Sequence, residues 1–525
     1  MNKLLKLTSG LFAISFLVIL TGCGGIVPAA NSSSDAPSPA VVTQNSDQQH
    51  PVVGEIELKV MTFNIWIGGE VVDFHQVIEA IRQSNADIVG LQEAEGNTAR
   101  IAAALGWYAD ERLMVISRFP IIEPPEAQSD TGVDYVYVQI APGQVVAMSN
   151  IHLTSDPYGP YAVRDGQPLD FVLEQEKNIR LPEIQERLAS WQEVISAGIP
   201  LFVTGDFNTP SHRDWTSASV GSLPHMKYAV EWPVTKEVEA AGFVDTFRAA
   251  NPDPIADPGR TWSYGYPYPR LNENETIDRI DYVFASGADQ VLSSQVIGEP
   301  GTPNVTIVIT PYPSDHRAVV STVRVKPVEP PVFVAVEQTR VIAGERLIVR
   351  YHAPDEEGTD RLAIVPAGGA IPADEIMWLP PQEAIFFGAV RFGTGGLEAG
   401  EYNVVLVGKD DQELARQRFW LVTPDAKPVV FTSKPDFASG ESITLEWLNA
   451  PARMRDWIGI YPAGNQDIYN GYLSFAYTGA TVSGKYTFGA DDLGDAMLEP
   501  GEYTAALVSD DGYAILAKTS FSVVP

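Results

Sequence analysis

At 525 residues the chain is too long for a single hydrophobic core, so several domains are expected. The formal net charge is −32, and residues 51–326 hold 19 Lys and Arg against 37 Asp and Glu, a net charge of −18. Because tight non-specific binding to duplex DNA draws on Lys and Arg, no stable, tight binding of DNA is expected. Cys23 is the only cysteine, which excludes an intrachain disulfide and a metal site built from thiolates.

The N-terminal segment predicts export from the cytoplasm. Residues 1–22 place two lysines before the apolar run LFAISFLVIL, which has the length of a signal-peptide core. The string LTGC (20–23) resembles the bacterial lipobox, which predicts acylation of Cys23 and attachment to a membrane through that lipid. Gly24 stands where a lipoprotein retained at the inner membrane would have an Asp, so the same resemblance implies the outer membrane or the cell surface. A plain secretory signal with an incidental cysteine is the alternative. Residues 23–54 are rich in Ser, Pro, Asn and Gln, which predicts a disordered tether.

From residue 55 to residue 326, predicted strands alternate with amphipathic helices. Apolar stripes of helical period predict helices at Asp73–Ser84 and Gln175–Ser196. The predicted strands include Val133–Ile140, Val145–Ile151, Ile280–Ala285 and Ala318–Val325. The connection Thr154–Glu174 is predicted to be a long loop without structure of its own, and loops of that kind are often functional.

Short polar strings follow or adjoin several of the apolar runs that predict buried strands. They are MTFN (61–64), GLQE (90–93), GDFN (205–208) and SDHR (314–317), together with NIHL (150–153) and RIDYVF (279–284). One such string would be uninformative, because Asp and Asn end strands in most proteins. Several of them indicate a polar site at the strand ends, where α/β folds assemble such sites.

In order and spacing, these strings resemble the endonuclease/exonuclease/phosphatase family, which includes deoxyribonuclease I-like nucleases, sphingomyelinases and inositol-polyphosphate 5-phosphatases. The resemblance extends from about Glu57 to Lys326 and includes ISRFPI (116–121), GFVDTFR (242–248) and RTWSY (260–264). It implies an α/β domain at residues 55–326, folded as a four-layer αββα sandwich, and it leaves the substrate open. Asp245 and Trp262 belong to these strings and are interpreted as scaffold or rim.

The resemblance implies that Asn64, Glu93 and Asp315 bind a metal ion. Mg²⁺ takes oxygen ligands from one or two carboxylates, so Mg²⁺ is the expected cofactor, with Mn²⁺ as an alternative. Glu93 is the strongest single candidate. Taken alone it would be a solvated glutamate at a strand end, and the match at Asn64 favours the metal.

By the same resemblance, His316 forms a hydrogen bond with Asp281, which would fix the imidazole tautomer for contact with a water or a phosphoryl oxygen. Asp278 is the alternative partner, and Asp281 is preferred because a strand follows it directly. His152 is expected to contact phosphate or to protonate the leaving group. The alternative for His152 is a satisfied core histidine.

Asp206 and Asn208 are two residues apart, so on an extended segment they project to the same side. By resemblance, Asp206 would orient or deprotonate the attacking water. The neutral amide of Asn208 can donate to a phosphoryl oxygen without adding negative charge. The alternative is an Asx turn that closes a strand.

After residue 326 the helical stripes disappear. Residues 327–331, PVEPP, predict a stiff linker that few contacts cross. Beyond it the sequence repeats: DRLAIVPAG (360–368) returns as DWIGIYPAG (456–464), and LEAGEY (397–402) returns as LEPGEY (498–503). An offset near 100 residues matches one immunoglobulin-like β-sandwich for each copy. Two all-β immunoglobulin-like sandwiches are therefore predicted, at residues 327–425 and 426–525.

The expected function is that of an extracytoplasmic, Mg²⁺-dependent hydrolase of phosphoester bonds. The expected substrate is a lipid-derived or small-molecule phosphoester, or a nucleic acid. The alternative is a catalytically inactive phosphoesterase fold that serves as a surface binding protein. Loss of a ligand or of a histidine would indicate that alternative, and every residue named above is present.

Overall fold

The computed structural model describes residues 54–525 apart from residues 95, 125–133, 263–274, 303, 354–358, 381–386, 454–455, 469–470, 495–496 and 510–513. The predicted signal peptide, Cys23 and the tether up to residue 53 lie outside the described residues, as do residue 133 of the predicted strand and the end of RTWSY. Within the described part, no helix is both long and apolar enough to cross a membrane.

The first half of the described chain alternates strands with helices. The strands are β1 (Ile56–Asn64), β2 (Ile88–Gln92), β3 (Tyr108–Asp110), β4 (Val115–Ser117), β5 (Ile121–Ile122), β6 (Val136–Ala141), β7 (Gln144–His152), β8 (Leu201–Asp206), β9 (Val244–Asp245), β10 (Asp281–Ser286), β11 (Gln290–Gly298), β12 (Val305–Val308) and β13 (Ala318–Val325). The helices are α1 (Phe74–Ser84), α2 (Thr98–Leu105), α3 (Gly159–Arg164), α4 (Leu169–Asn178), α5 (Arg180–Ser196), α6 (Pro233–Ala240) and α7 (Thr246–Ala250).

These strands form two sheets. The first has the order β12-β11-β13-β1-β2-β4-β3 and the second the order β5-β6-β7-β8-β10-β9. Each sheet has a parallel pair at its centre, β1 with β2 and β7 with β8, flanked by antiparallel neighbours. The facing sides of the sheets share one core, which includes Val60, Ile88, Met148 and Phe202.

Helices cover the outer faces of both sheets. Side chains of α1 and α2 pack on the first sheet, and side chains of α5 and α6 pack on the second. Because both faces of each sheet are buried, the central strands read as nearly continuous apolar runs. The layers follow the order helix, sheet, sheet, helix, as the sequence predicts.

Two predictions for the helices differ in outcome. Asp73–Ser84 is confirmed as α1, with Asp73 as a side-chain N-cap. The predicted helix Gln175–Ser196 is divided at Ile179, between α4 and α5. Pro182, in the first turn of α5, has no N–H for the carbonyl one turn earlier, so one continuous helix does not form.

The segment Thr154–Glu174 is not the structureless loop that the sequence predicts. It contains α3 and the first part of α4. Gly166, at φ 86°, and Pro168 separate these two short helices. No apolar period therefore extends over a window long enough to be recognised in the sequence.

The second half of the described chain is rich in strands. They are β14 (Phe333–Val336), β15 (Arg340–Ile342), β16 (Arg346–His352), β17 (Thr359–Pro366), β18 (Met377–Leu379), β19 (Phe387–Gly393), β20 (Gly400–Gly408), β21 (Glu413–Val422), β22 (Val429–Thr432), β23 (Asp436–Ala438), β24 (Ile443–Leu448), β25 (Trp457–Pro462), β26 (Ser474–Tyr477), β27 (Gly484–Phe488), β28 (Gly501–Val508) and β29 (Ile515–Val524). A short helix, α8 (Ala490–Leu493), follows β27.

The same arrangement of two sheets occurs twice in this half. The first copy pairs the sheet β14-β16-β19 with the sheet β15-β21-β20-β17-β18. The second copy pairs β22-β24-β27 with β23-β29-β28-β25-β26, which is the same order of equivalent strands. Each copy encloses its own apolar cluster, one around Val349 and Leu406 and the other around Leu445 and Leu507. The repeat in the sequence is therefore a repeat in the structure.

Strand β14 contributes side chains to two different cores. Val334 and Val336 belong to the core of the first copy. Phe333 and Ala335 belong instead to the core between α5, α6 and the second sheet of the first half. Side chains alternate between the two faces of a strand, so the apolar run FVAV (333–336) is buried on both sides.

The expectation that few contacts cross the linker is wrong. Besides the contacts of β14, the backbones of Val145 and Val328 exchange hydrogen bonds of 2.7 and 3.0 Å. Arg453, in the second copy, donates from Nη2 to Glu111 Oε2 in the first half at 2.7 Å. The proline-rich composition of residues 327–331 is typical of a spacer. It did not reveal that β14, the strand after it, packs against the first half as well as against the first β-rich copy.

A buried polar network joins the two sheets of the first half. The Asn150 side chain donates from Nδ2 to the carbonyls of Leu91, at 2.6 Å, and of Leu113, at 2.9 Å. Its Oδ1 accepts from Gln92 Nε2 at 2.6 Å and from Thr204 Oγ1 at 2.9 Å. Buried polar groups with partners of this kind fix one arrangement of the elements that carry them.

Replacing Gly90 with Ala is expected to destabilise the fold strongly. An added Cβ would lie 1.9 Å from Thr204 Oγ1 and 2.3 Å from Asn150 Oδ1, so the network would have to move. Each buried polar group left unsatisfied costs about 1–3 kcal/mol. Denaturant unfolding should show a clear fall in the midpoint. Gly54→Ala is the matched control, because a Cβ there meets nothing within 4 Å. Equal stability of the two variants would contradict the account.

A chain that ends at Lys326 is expected to unfold at a lower temperature than a chain that ends at Asp425. The shorter chain loses Phe333, which is 1% exposed, from the core beneath α5. Removal of a buried phenyl ring costs about 3–5 kcal/mol. Calorimetry of the two chains measures the difference, and coincident unfolding of the first half in both would show that β14 adds nothing to its stability.

Candidate active site

Five strand ends meet at one rim of the two sheets. In the first sheet Asn64, the last residue of β1, is paired with Gln92, the last residue of β2. In the second sheet Asp206, at the end of β8, is paired with His152 of β7 and with Asp281, the first residue of the antiparallel β10. The sheets are stacked, so these ends face one another across the core. The strand-end residues that the sequence singles out therefore converge.

Asp206 lies at the centre of this rim. Its Oδ2 accepts a hydrogen bond from Asn64 Nδ2 at 3.1 Å, which connects the first sheet to the second. The same oxygen lies 3.6 Å from Nε2 of both His152 and His316. The Asp206 side chain is only 1% exposed, whereas His152 is 23% exposed and faces the opening. One buried carboxylate thus receives groups from both sheets.

Asp206 and Asn208 also form the Asx turn that was the alternative interpretation. Asp206 Oδ1 accepts from the Asn208 backbone N–H at 2.9 Å. Asn208 has φ 49°, and its Nδ2 donates to the Leu153 carbonyl at 2.9 Å. The turn occupies only one oxygen of Asp206 and leaves Oδ2 directed at the two imidazoles. Turn and site are therefore compatible.

His316 is held by Asp281. Its Nδ1 lies 3.0 Å from Asp281 Oδ2, which is the predicted pairing. Burial alone would lower the pKa of His316, but the negative charges of Asp281, Asp206 and Asp315 outweigh it and hold that pKa well above its ordinary value. These carboxylates therefore favour the charged form of the imidazole, and its Nε2 is directed towards Asp206.

Asp278, the alternative partner, is engaged elsewhere. Its carboxylate accepts from Tyr158 Oη at 3.3 Å and from Trp215 Nε1 at 3.0 Å, and it lies 3.2 Å from His225 Nε2. Asp278 therefore fastens the segment that follows β7 to the loops beside the site. The choice of Asp281 over Asp278 agrees with this geometry.

Glu93 is held in a fixed orientation by contacts on both of its oxygens. Oε1 accepts from Asn64 Nδ2 at 3.0 Å, and Oε2 accepts from the Ile67 backbone N–H at 3.1 Å. Glu93 itself has φ 55°, a left-handed conformation that turns the chain out of β2. Asn64 Oδ1 accepts from the Trp66 backbone N–H at 3.0 Å. In this structure Asn64 thus bridges two carboxylates through its amide nitrogen.

Glu93 and Asp315 are close enough to repel each other. Burial raises the pKa of Asp315, and the Glu93 carboxylate raises it further, although the charge of His316 acts in the opposite direction. A divalent cation between two such carboxylates would remove their repulsion. The donors at this place are oxygens, which suits Mg²⁺ or Mn²⁺.

A second group with the composition of a metal site lies beside the first. One ligand atom from each of Asp206, Asp281 and His316 can be chosen so that the three lie within 4.8 Å of one another. Among the described residues, Asp281 Oδ1 is buried without a hydrogen-bond partner. This second group shares no residue with the predicted metal ligands, Asn64, Glu93 and Asp315.

Sequence reasoning missed two short polar residues that hold the site together. Thr261 Oγ1 accepts from the backbone N–H groups of Ile280 and Asp281, at 3.1 and 3.2 Å. Ser314 Oγ donates to the Asn64 carbonyl at 2.7 Å. Each is a member of a recognised string, RTWSY (260–264) or SDHR (314–317), and that membership was the only signal in the sequence.

The interpretation of Asp245 and Trp262 as scaffold or rim agrees with their contacts. Asp245 caps α7 and accepts from Arg279 Nη2 at 2.7 Å. The Trp262 ring lies 5.9 Å from the His316 ring, centre to centre, with 33° between their planes. Trp262 therefore forms a wall of the site beside His316.

Comparisons with known proteins add four findings. A family model described as "Endonuclease/Exonuclease/phosphatase family" matches residues 61–316. Uncharacterized protein F14F9.5 of Caenorhabditis elegans is 34% identical over 287 residues, which are 50% of this chain and 90% of that protein. An AP endonuclease from Archaeoglobus fulgidus has 15% identity and a TM-score of 0.32, over 50% of this chain and 98% of its own. The structure of D. rerio TDP2 complexed with single-strand DNA product has 14% identity and a TM-score of 0.32, over 51% and 98%.

Proposed function

This chain belongs to the endonuclease/exonuclease/phosphatase family, and we propose that it is a metal-dependent hydrolase of phosphoester bonds. The observation that carries the proposal is the set of contacts at Asp206. Asn64 and His316, beside the first sheet, and His152 of the second sheet all approach its carboxylate. A phosphoester is anionic and its alcohol leaves poorly. A catalyst must therefore neutralise phosphoryl charge, position a water and protonate the departing oxygen.

Glu93 and Asp315 are the residues proposed to bind the metal ion, with Asn64 beside them. Mg²⁺ is the proposed ion, and Mn²⁺ fits the same donors. When bound, such an ion neutralises charge on the phosphoryl oxygens. The group of Asp206, Asp281 and His316 is the second place that suits a cation.

The other catalytic roles are assigned to side chains of the rim. Asp206 orients the water and accepts one of its protons, as the water oxygen forms a bond to phosphorus and the bond from phosphorus to the leaving alcohol breaks. His152, the more exposed imidazole, donates a proton to the departing oxygen. His316, fixed by Asp281, and Asn208 donate hydrogen bonds to the non-bridging oxygens. A binding protein without catalytic activity would have no chemical need for all of these groups at one rim.

We also propose that the protein acts outside the cytoplasm, anchored by a lipid on Cys23 at the outer membrane or the cell surface. The signal-like residues 1–22 and the lipobox-like residues 20–23 support this location. The two β-rich copies are proposed to be immunoglobulin-like domains at residues 327–425 and 426–525. Their repeated order of strands supports the division.

Three substitutions separate metal binding from the hydrogen-bonding role. Glu93→Gln keeps the shape but removes charge, so the variant is expected to require far more Mg²⁺ for activity. His316→Ala and Asp281→Asn should instead lower turnover at saturating Mg²⁺, each by about a hundredfold or more. The measurement is the Mg²⁺ dependence of release of p-nitrophenol from bis-p-nitrophenyl phosphate. Glu186→Gln, at an exposed position of α5, is the control. Wild-type Mg²⁺ dependence and turnover in Glu93→Gln would overturn the metal assignment.

Replacing Cys23 with Ser is expected to abolish acylation of the expressed precursor, because only the thiol accepts the lipid at that position. Metabolic labelling with a radioactive fatty acid measures the modification. Label that persists in Cys23→Ser would show that the lipobox interpretation is wrong.

A further inference from the structure

Arg453 lies in the second β-rich copy, and its guanidinium makes contacts in both halves of the chain. Within its own copy, Nη1 donates to Ser509 Oγ at 2.8 Å. In the first half, Nη2 donates at 2.7 Å to Oε2 of Glu111, the residue after β3. A Cβ added at Gly96 would lie 3.2 Å from Nη2 and 3.4 Å from Nη1, so the guanidinium also lies against the turn between β2 and α2. Arg453 therefore contacts two turns of the first half at once.

The position of Arg453 is fixed by the packing of the two β-rich copies on each other. Ala452, the residue before it, is buried in an apolar cluster with Val482 of its own copy and Trp420 of the first copy. The Arg453 backbone N–H donates to the buried carboxylate of Asp456 at 3.0 Å. The Arg453 side chain is only 11% exposed, so its ion pair is screened less than a pair on the open surface. The guanidinium is thus presented to the first half by a rigid support.

The turn that the guanidinium contacts begins with Glu93. Asn97, the residue after Gly96, donates from Nδ2 to the Gly68 carbonyl at 2.8 Å. The Gly68 backbone N–H donates to the Glu93 carbonyl at 2.7 Å, and the neighbouring Ile67 N–H donates to Glu93 Oε2 at 3.1 Å. The turn and the loop after β1 thus form one hydrogen-bonded unit. Within that unit, both the backbone and the carboxylate of Glu93 are held.

The backbone of this unit needs support from its surroundings. Three of its residues have a left-handed backbone conformation, with φ 57° at Trp66, 46° at Ile67 and 55° at Glu93. Residues with a Cβ seldom adopt this conformation, least of all a β-branched residue such as Ile67. Such conformations persist only where neighbouring contacts hold them. A contact that keeps the turn in place therefore also keeps the Glu93 carboxylate in its orientation.

We propose that Arg453 is a positioning residue for the metal site, through which the second β-rich copy holds Glu93 in the orientation that binds the cation. The inference rests on the proposed function, because Glu93 is proposed there as a metal ligand. It gives the second copy a part in the chemistry of the first half. Partners that orient metal ligands typically change metal affinity by about 10–100-fold, and Arg453 acts through further contacts, so a change of roughly fivefold is expected.

The test measures Mn²⁺ binding to the full chain without substrate, from the paramagnetic resonance signal of the free ion. Arg453→Met keeps a long side chain but removes its charge and donors, and the Kd for Mn²⁺ should rise roughly fivefold. Hydrogen exchange of the metal-free variant should also be faster in peptides that contain Ile67 and Gly68, because these amides bond to Glu93.

Arg416→Met is the matched control. Arg416 also pairs with a glutamate, Glu413, and donates to the Gly369 carbonyl, and all three residues belong to the first β-rich copy. The variant should therefore keep the wild-type Kd for Mn²⁺ and the wild-type exchange at Ile67 and Gly68. An effect as large as that of Arg453→Met would contradict the inference.

Two further variants make every outcome decisive. Glu93→Gln should weaken Mn²⁺ binding more than Arg453→Met does, which identifies the binding step of this site. Glu111→Gln removes the charge that holds Arg453 and should weaken Mn²⁺ binding in the same direction, so it replaces Arg453→Met if that variant does not fold. An unchanged Kd or unchanged exchange in the folded variant overturns the inference and leaves the metal assignment intact. Wild-type Mn²⁺ affinity in Glu93→Gln, or no Mn²⁺ binding by the wild type, overturns the metal assignment and the inference together.

Discussion

Asn150 joins the two sheets of the first half through hydrogen bonds that use both N–H groups and the oxygen of its side chain. Its partners belong to both sheets, so the spacing between the sheets cannot change without leaving a buried polar group unpaired. The rim depends on that spacing. Asn64 lies on the first sheet and Asp206 on the second, and their 3.1 Å contact exists only when the strand ends are held in this register. The site is thus a property of the packing of two sheets, not of either sheet alone.

Much of the candidate site could be predicted from the sequence, because the end of a buried strand is a local pattern. Asn64, Asp206 and Asp281 each stand where an apolar run begins or ends, and the structure brings all three to one rim. The contacts between them could not be predicted. That Asn64 donates to Glu93 and to Asp206 depends on the relative position of two sheets, about which local periodicity says nothing.

The helices could be predicted where hydrophobic periodicity extends over several turns. The prediction failed where a helix is too short to show that periodicity. The stripe of α1 extends over three turns and was recognised, whereas α3 and the start of α4 were read as a loop. The break at Ile179 follows from Pro182, a residue that is tolerated in the first turn of a helix and gives no warning of a second helix before it. The prediction that few contacts cross residues 327–331 failed for a different reason. The composition of a proline-rich segment indicates its own stiffness and says nothing about how the next strand packs.

Strand β14 contributes one face to each of two cores, which limits how the parts of this chain can be recombined with other domains. A module whose first strand fills its neighbour's interior cannot be exchanged as a unit, because its removal leaves the neighbour without Phe333 and Ala335. Any graft of the first half onto a different β-rich partner must carry β14 with it, or supply a phenyl ring against Tyr137, which lies 6.0 Å from Phe333. A division before β14 removes Phe333 and Ala335 from the first half, and a division after β14 removes Val334 and Val336 from the first copy, so neither division leaves both cores intact.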